Sequence, residues 1–301
     1  MYKVSYETLF NAYQDCLKHK KHKKSAIKFR MNEKRELIKL LDELNNRTYT
    51  IGTSNCFLVE KPVLREVFAA DFRDRIVHHL VINRILPYLE EKGFIDDSYS
   101  CRKGKGTLYG IKRAEKQLKE CTDNYTKDAY ILKGDFKGFF MSIDKRLLFK
   151  MISTFVNDIQ DIQDDEKEFI IWTLKLIIFN CPQKNCTING NRKRWNDLPK
   201  DKSLFSCDDY HGLPIGNLSS QILANFYLLS FDKYMKDTFK YYGRYVDDFF
   251  AFSTNKDVLL NILPVIRKTL KIRLNVTRHP KKIYLQHYTK GLTFTGIVIK
   301  P

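Results

Sequence analysis

The segment Tyr245-Val246-Asp247-Asp248 constrains this chain more than any other stretch. It lies within an aromatic run that includes Tyr241, Tyr242, Phe249, Phe250 and Phe252. Aromatic residues on both sides of a short polar break predict a β-hairpin over 241–252. Adjacent carboxylates at a hairpin tip repel each other, and bound divalent cations supply a reason to keep them together. Turn chemistry is the competing explanation, because aspartate is common in turns. A second acidic segment reads Gly134-Asp135-Phe136-Lys137-Gly138-Phe139-Phe140, after a short buried strand predicted from Tyr130, Ile131 and Leu132. A lone aspartate after a strand is ordinarily a cap. The combination of the two segments is what points to a metal-dependent carboxylate site.

The bulk properties fit such a site acting on a polyanion. The 301 residues carry 53 Lys plus Arg against 35 Asp plus Glu, a formal net charge of +18. Charge of that size opposes compaction, and a nucleic-acid partner explains why it is tolerated. The dense run KHKKHKKSAIKFR over 18–30 is either a solvated face or a phosphate-tracking segment. Hydrophobic residues make up 43%, enough for a substantial core. The sequence lacks an apolar run of the roughly 18 residues a membrane span needs, and the N-terminus has no secretory h-region. Seven scattered cysteines argue against a disulfide framework and predict a cytoplasmic, reduced protein. Cys181, Cys186 and Cys207 with a histidine match no common zinc spacing.

Helical spacing predicts helices after Asn32 through Leu44, over Asp71–Glu91 with a stop at Gly93, over Asp158–Ile178 and over Leu218–Phe239. Asp257 is expected to cap a further helix that Pro264 would kink. Short strands are expected around Leu274–Val276, Ile283–Leu285 and Leu292–Ile299, and an irregular polar segment over Asn180–Tyr210. Strands and helices mix without regular alternation, which predicts an α+β fold with an antiparallel sheet faced by helices.

Taken together, these segments resemble the reverse transcriptases over roughly residues 55–300. In that family a strand ending in Asp and a YxDD hairpin lie side by side. Asp135 matches the first position, and Asp247 and Asp248 match the second. The resemblance implies two Mg²⁺ ions about 3.5–4 Å apart, with Mn²⁺ as a substitute, bridged mainly by Asp135 and Asp247. It also implies a right-hand polymerase with fingers and palm. The palm would be a ferredoxin-like βαββαβ sheet with helices on one face. By this match 1–54 is a basic helical extension, 55–128 the fingers, and 129–301 the palm with an insertion at about 150–211. The chain stops at Pro301, just after Gly291–Gly296, which resembles the primer-grip region. The thumb is therefore expected to be short or absent.

Further site residues follow from the same resemblance. Arg65, in REVFAADFRDR, matches the arginine that clamps the incoming triphosphate, a task suited to a guanidinium. Ser100 to Thr107 resembles the second fingers motif, and its Arg102, Lys103 and Lys105 would meet template phosphates. Phe140, five residues after Asp135, matches the steric gate against a ribose 2′-hydroxyl. Lys282, in Pro280-Lys281-Lys282, matches a lysine near the triphosphate that can protonate pyrophosphate. The implied partners are an RNA template, a DNA or RNA primer, and dNTPs, without a membrane.

Gly212-Leu213-Pro214-Ile215-Gly216-Asn217-Leu218-Ser219-Ser220-Gln221 discriminates among lineages. Most retroviral and group II intron enzymes carry Gln where this chain has Ile215. The form with Ile215, Gly216 and Gln221 resembles the enzymes of diversity-generating retroelements, which copy RNA with errors at adenine. Ile215, unlike Gln, has no amide with which to check the nascent pair. That resemblance implies a small basic accessory protein. A group II intron, retron or abortive-infection enzyme is the alternative, and a non-catalytic RNA-binding protein a more distant one.

Overall fold

The computed structural model describes residues 1–18, 20–61, 63–274 and 283–301. Its first elements are α1 (Tyr6–Leu17), α2 (Lys24–Arg30), α3 (Glu33–Asn45), β1 (Ser54–Val59), β2 (Arg65–Ala69) and α4 (Phe72–Tyr88). Next come α5 (Thr107–Cys121), β3 (Tyr130–Asp135), α6 (Phe139–Ser142), α7 (Lys145–Asn157), α8 (Asp164–Phe179), β4 (Cys186–Ile188), α9 (Leu218–Tyr227) and α10 (Leu229–Thr238). The last are β5 (Tyr241–Tyr245), β6 (Asp248–Ser253), α11 (Lys256–Leu274), β7 (Tyr284–His287), β8 (Leu292–Phe294) and β9 (Ile297–Ile299). Two compact units interleave along the chain: Met1–Lys92 with Asp144–Leu223, and Gly93–Ile143 with Ala224–Pro301.

In the first unit, Ser5 and Asp71 cap α1 and α4 by accepting Thr8 N–H and Arg73 N–H. Tyr13, Phe29 and Phe72 meet ring against ring and lock α1, α2 and α4 together. The sheet order is β2-β1-β4, with β2 antiparallel and β4 parallel to β1. The irregular segment expected over 180–210 contains β4 and a chain of 3-10 turns. Glu66 of β2, 1% exposed, anchors those turns. Its carboxylate accepts from Trp195 Nε1 at 2.8 Å, Ser203 Oγ at 2.9 Å and Leu204 N at 2.6 Å. Burial nevertheless holds its carboxyl above the usual range, and those three donors only partly offset this.

In the second unit the order β5-β6-β3-β7 forms a sheet in which each strand runs antiparallel to its neighbours. Phe249 to Phe252 of β6 are buried without interruption, so both faces of the sheet are covered. Phe250, Phe252 and Ile131 pack with Ala114 and Leu118 of α5 and with Leu292 and Phe294 of β8. On the other face Phe249 lies 5.3 Å, ring to ring, from Phe231 of α10. The cover on the Phe250 face comes from α5, which precedes the segment expected as palm, while α10 covers the Phe249 face.

Other boundaries also move. Helix α8 starts at Asp164 rather than Asp158, because Asp158 closes α7. The helix expected over Leu218–Phe239 breaks at Leu228, between Asn225 and Asp232, which both bind the buried Arg244. Asn255 rather than Asp257 caps α11, accepting Asp257 N–H at 2.9 Å. Asn32 precedes α3 without a side-chain cap bond. The strand expected from Leu274 is not formed there, since Leu274 closes α11; residues 275 and 276 lie outside the described residues. Among the described residues, no helix is long and apolar enough to cross a membrane.

Candidate active site

The antiparallel register of β3 and β6 sets Asp135 directly opposite Asp248. The turn that carries Asp247 is tied to the same point, because Phe136 N–H donates to Asp247 O at 3.3 Å. The aspartates picked out in two distant segments thus meet at the end of one sheet. Gly134 permits the approach: a Cβ there would fall 2.2 Å from the Phe249 ring. The turn itself is strained. Val246 has φ 56°, a left-handed conformation that a β-branched side chain resists.

A buried ion pair holds that turn in place. Arg244 and Asp232 are 0% and 1% exposed, and Arg244 Nε and Nη2 donate to the Asp232 oxygens at 2.7 and 2.6 Å. Arg244 Nη1 also donates to Val246 O at 2.5 Å, and Val246 N–H donates to Ser100 Oγ at 3.2 Å. Asn225 closes the network, accepting from Ser100 Oγ at 2.8 Å. Sequence reasoning missed this network. Its signal was a charged residue, Arg244, inside an otherwise apolar strand, which demands a partner.

Asp248 is mostly buried, with 18% of its side chain exposed, and its Oδ1 lies 2.9 Å from Lys133 Nζ. That oxygen accepts no hydrogen bond of good geometry, so the lysine contact is one of charge. Burial raises the Asp248 carboxyl above the usual carboxylate range, Lys133 pulls it back, and Asp135 pushes it up again.

The donor chemistry fits a hard divalent cation: carboxylate oxygens at a sheet end, one of them buried without a directed hydrogen bond. Among the described residues no three His, Cys, Asp or Glu side chains draw together into a full cage. Magnesium does not require one, since one or two carboxylates with substrate phosphates commonly hold it. The cysteines are free thiols, and no zinc-type grouping forms among the described residues.

Phe140 lies in α6, partly exposed and edge-on to Phe139 at 5.7 Å. Lys103 is exposed. Lys105 binds Asp96 through the side chain at 2.7 Å. Arg102 is 8% exposed and turns inward, donating to Ile95 O at 2.5 Å and Ser98 O at 2.9 Å, so it anchors its own loop. Lys282 lies outside the described residues.

The remaining expected residues belong to the first unit. Arg65 opens β2 and is exposed. Ile215 O accepts Phe68 N–H at 2.9 Å, which lays the 212–221 block on β2. Gly216, at φ 118°, has no room for a Cβ, which would meet Val67 Cγ1 at 2.6 Å. Asn217, 5% exposed, accepts from Ala70 N–H at 3.1 Å and donates to Phe68 O at 2.9 Å. It is the staple of the block, and sequence reasoning passed over it. Gln221 is exposed in the first turn of α9.

Solved structures place this architecture in a class. The chain is similar to telomerase from Candida tropicalis in complex with the TWJ fragment of telomeric RNA, with TM-score 0.55 and 13% identity over 83% of this chain and 44% of that one. Apo telomerase from the same organism, truncated from its C-terminal domain, gives TM-score 0.55 and 12% identity over 79% and 50%. At such identities the likeness concerns the fold, which is of polymerase type. The family follows from the sequence: the reverse transcriptase (RNA-dependent DNA polymerase) family matches residues 64–299, and the chain belongs to that family. The chain is also similar to Protein YkfC of Escherichia coli (strain K12), 22% identical over 77% of this chain and 62% of that protein. The chain spans less than two thirds of the length of each of these relatives.

Proposed function

We propose that this protein is an RNA-directed DNA polymerase that extends a primer along an RNA template. The observation that carries the reading is the register pairing of Asp135 with Asp248, with Asp247 tied to Phe136, in a chain of the reverse transcriptase family. Asp135 and Asp247 would hold divalent ions, which when bound activate the primer hydroxyl and stabilise the leaving pyrophosphate. Phe140 would exclude a ribose 2′-hydroxyl, and Arg65 would clamp the incoming triphosphate. Residues 55–128 would act as fingers and 129–301 as palm, with a fingers or insertion segment at about 150–211. The strand order β5-β6-β3-β7 supports a ferredoxin-like palm.

The finer reading is error-prone synthesis of the diversity-generating kind. It rests on Ile215, Gly216 and Gln221 in the 212–221 block. Primer extension on an adenine-rich RNA template with Mg²⁺ and dNTPs tests both levels. DNA made by wild type and lost in Asp247→Ala supports the polymerase. Errors clustered at template adenines, reduced in Ile215→Gln, support the subtype. Faithful DNA would reject the subtype alone, and no DNA with the native RNA and an accessory protein would reject the polymerase reading.

A further inference from the structure

Lys133 stands two residues before Asp135 on β3, so the period-2 geometry of a strand points both side chains to one face. Its register partners are Phe250 and Tyr284, yet its ammonium reaches diagonally to Asp248, Asp135's partner. The contact is 2.9 Å, and the two side chains are only 14% and 18% exposed. A pair this shielded feels less solvent screening than a surface ion pair. The sequence offers no structural need for a lysine here: its neighbours Ile131, Leu132 and Gly134 are all buried. A positive charge set against Asp248, whose register partner is Asp135, answers an electrostatic need of that carboxylate pair.

We propose that Lys133 is a built-in counter-cation of the carboxylate cluster, which holds Asp248 and opposes entry of a divalent ion, and thereby sets how tightly that ion is bound. The inference rests on the carboxylate reading given above. With Lys133 in place the cluster keeps its shape before metal arrives, because one of its like charges is neutralised. When a dication approaches, the fixed ammonium repels it, and binding is weaker than the carboxylates alone would allow. Lys133 is thus a positioning residue for Asp248 and a regulator of metal affinity.

The test is Mn²⁺ binding without primer or nucleotide, read from the electron paramagnetic resonance of the free ion. Wild type, Lys133→Met, Lys133→Gln, Lys133→Arg and Asp135→Asn are compared, with circular dichroism confirming the fold of each. Losing one unit charge at this range is expected to tighten binding about tenfold or more in both Lys133→Met and Lys133→Gln. Lys133→Arg keeps the charge and should bind as wild type does. Equal or weaker binding by both neutral variants, with Asp135→Asn binding lost, would overturn the role of Lys133 and leave the metal site standing. Mn²⁺ binding that is unchanged in Asp135→Asn would overturn the carboxylate reading, and this inference with it.

Discussion

Removing the carboxylate of Asp232 should destabilise the second unit more than any ordinary surface change. Asp232 and Arg244 are 1% and 0% exposed, so neither charge has bulk water to fall back on. Asp232→Ala strips Arg244 of its two charge-assisted bonds at 2.6 and 2.7 Å and strips Tyr242 Oη of its acceptor at 2.7 Å. Of the guanidinium's described hydrogen bonds, those to the neutral acceptors Asn225 Oδ1, Val246 O and Ser98 Oγ then remain, with the Asp247 charge acting at longer range. An uncompensated buried charge of this kind costs about 3–5 kcal/mol. Urea unfolding followed by circular dichroism measures the loss. The double variant Asp232→Leu with Arg244→Met removes both charges together, and apolar replacements of buried pairs are often close to neutral, so most of the stability should return. Primer extension should not return with it, because Val246 O has lost the donor that fixes the turn carrying Asp247. A loss below about 1 kcal/mol in Asp232→Ala would refute the electrostatic argument. Full activity in the double variant would refute the positioning argument.

Other outcomes follow from single contacts. Asn217→Ala leaves Ala70 N–H and Phe68 O without their side-chain partner and should cost roughly 2–4 kcal/mol in urea unfolding. Val246→Asn should raise stability by about 1 kcal/mol, since asparagine accepts φ 56° more readily, and a lower melting temperature would contradict the strain assigned to Val246. His78 is held neutral, its pKa pushed from 6.5 down to about 3 by burial first, then by His79, Arg75 and Lys20. The unfolded chain takes up the proton that the native one refuses, so this residue makes stability fall as pH drops from about 6.5 towards 3, by about 1.4 kcal/mol per unit. His78→Gln should show a shallower acid limb in stability measured against pH.

The sequence by itself determined the elements whose signal is local. The aromatic hairpin around Val246, the strand ending at Asp135 and the helix after Asp71 each follow from periodicity and caps within a few residues. Asp247 and Asp248 stood out for the same reason, since adjacent carboxylates at a turn are a local anomaly, whereas Asp135, a lone aspartate after a strand, stood out only in combination with them. Tertiary structure alone decided the rest. Register set Asp135 against Asp248, and a strand carries no mark of which partner residue it will face. The break at Leu228, the inward turn of Arg102 and the ion pair of Lys133 with Asp248 depend on contacts between residues far apart in the chain. The elements that cover the two faces of β6 were likewise invisible, because an unbroken apolar run says that a strand is covered but not by what. Arg244 shows the physical reason most plainly. Its charge is a liability in an apolar strand when read alone, and only the fold brings Asp232 within hydrogen-bonding distance to make it a support.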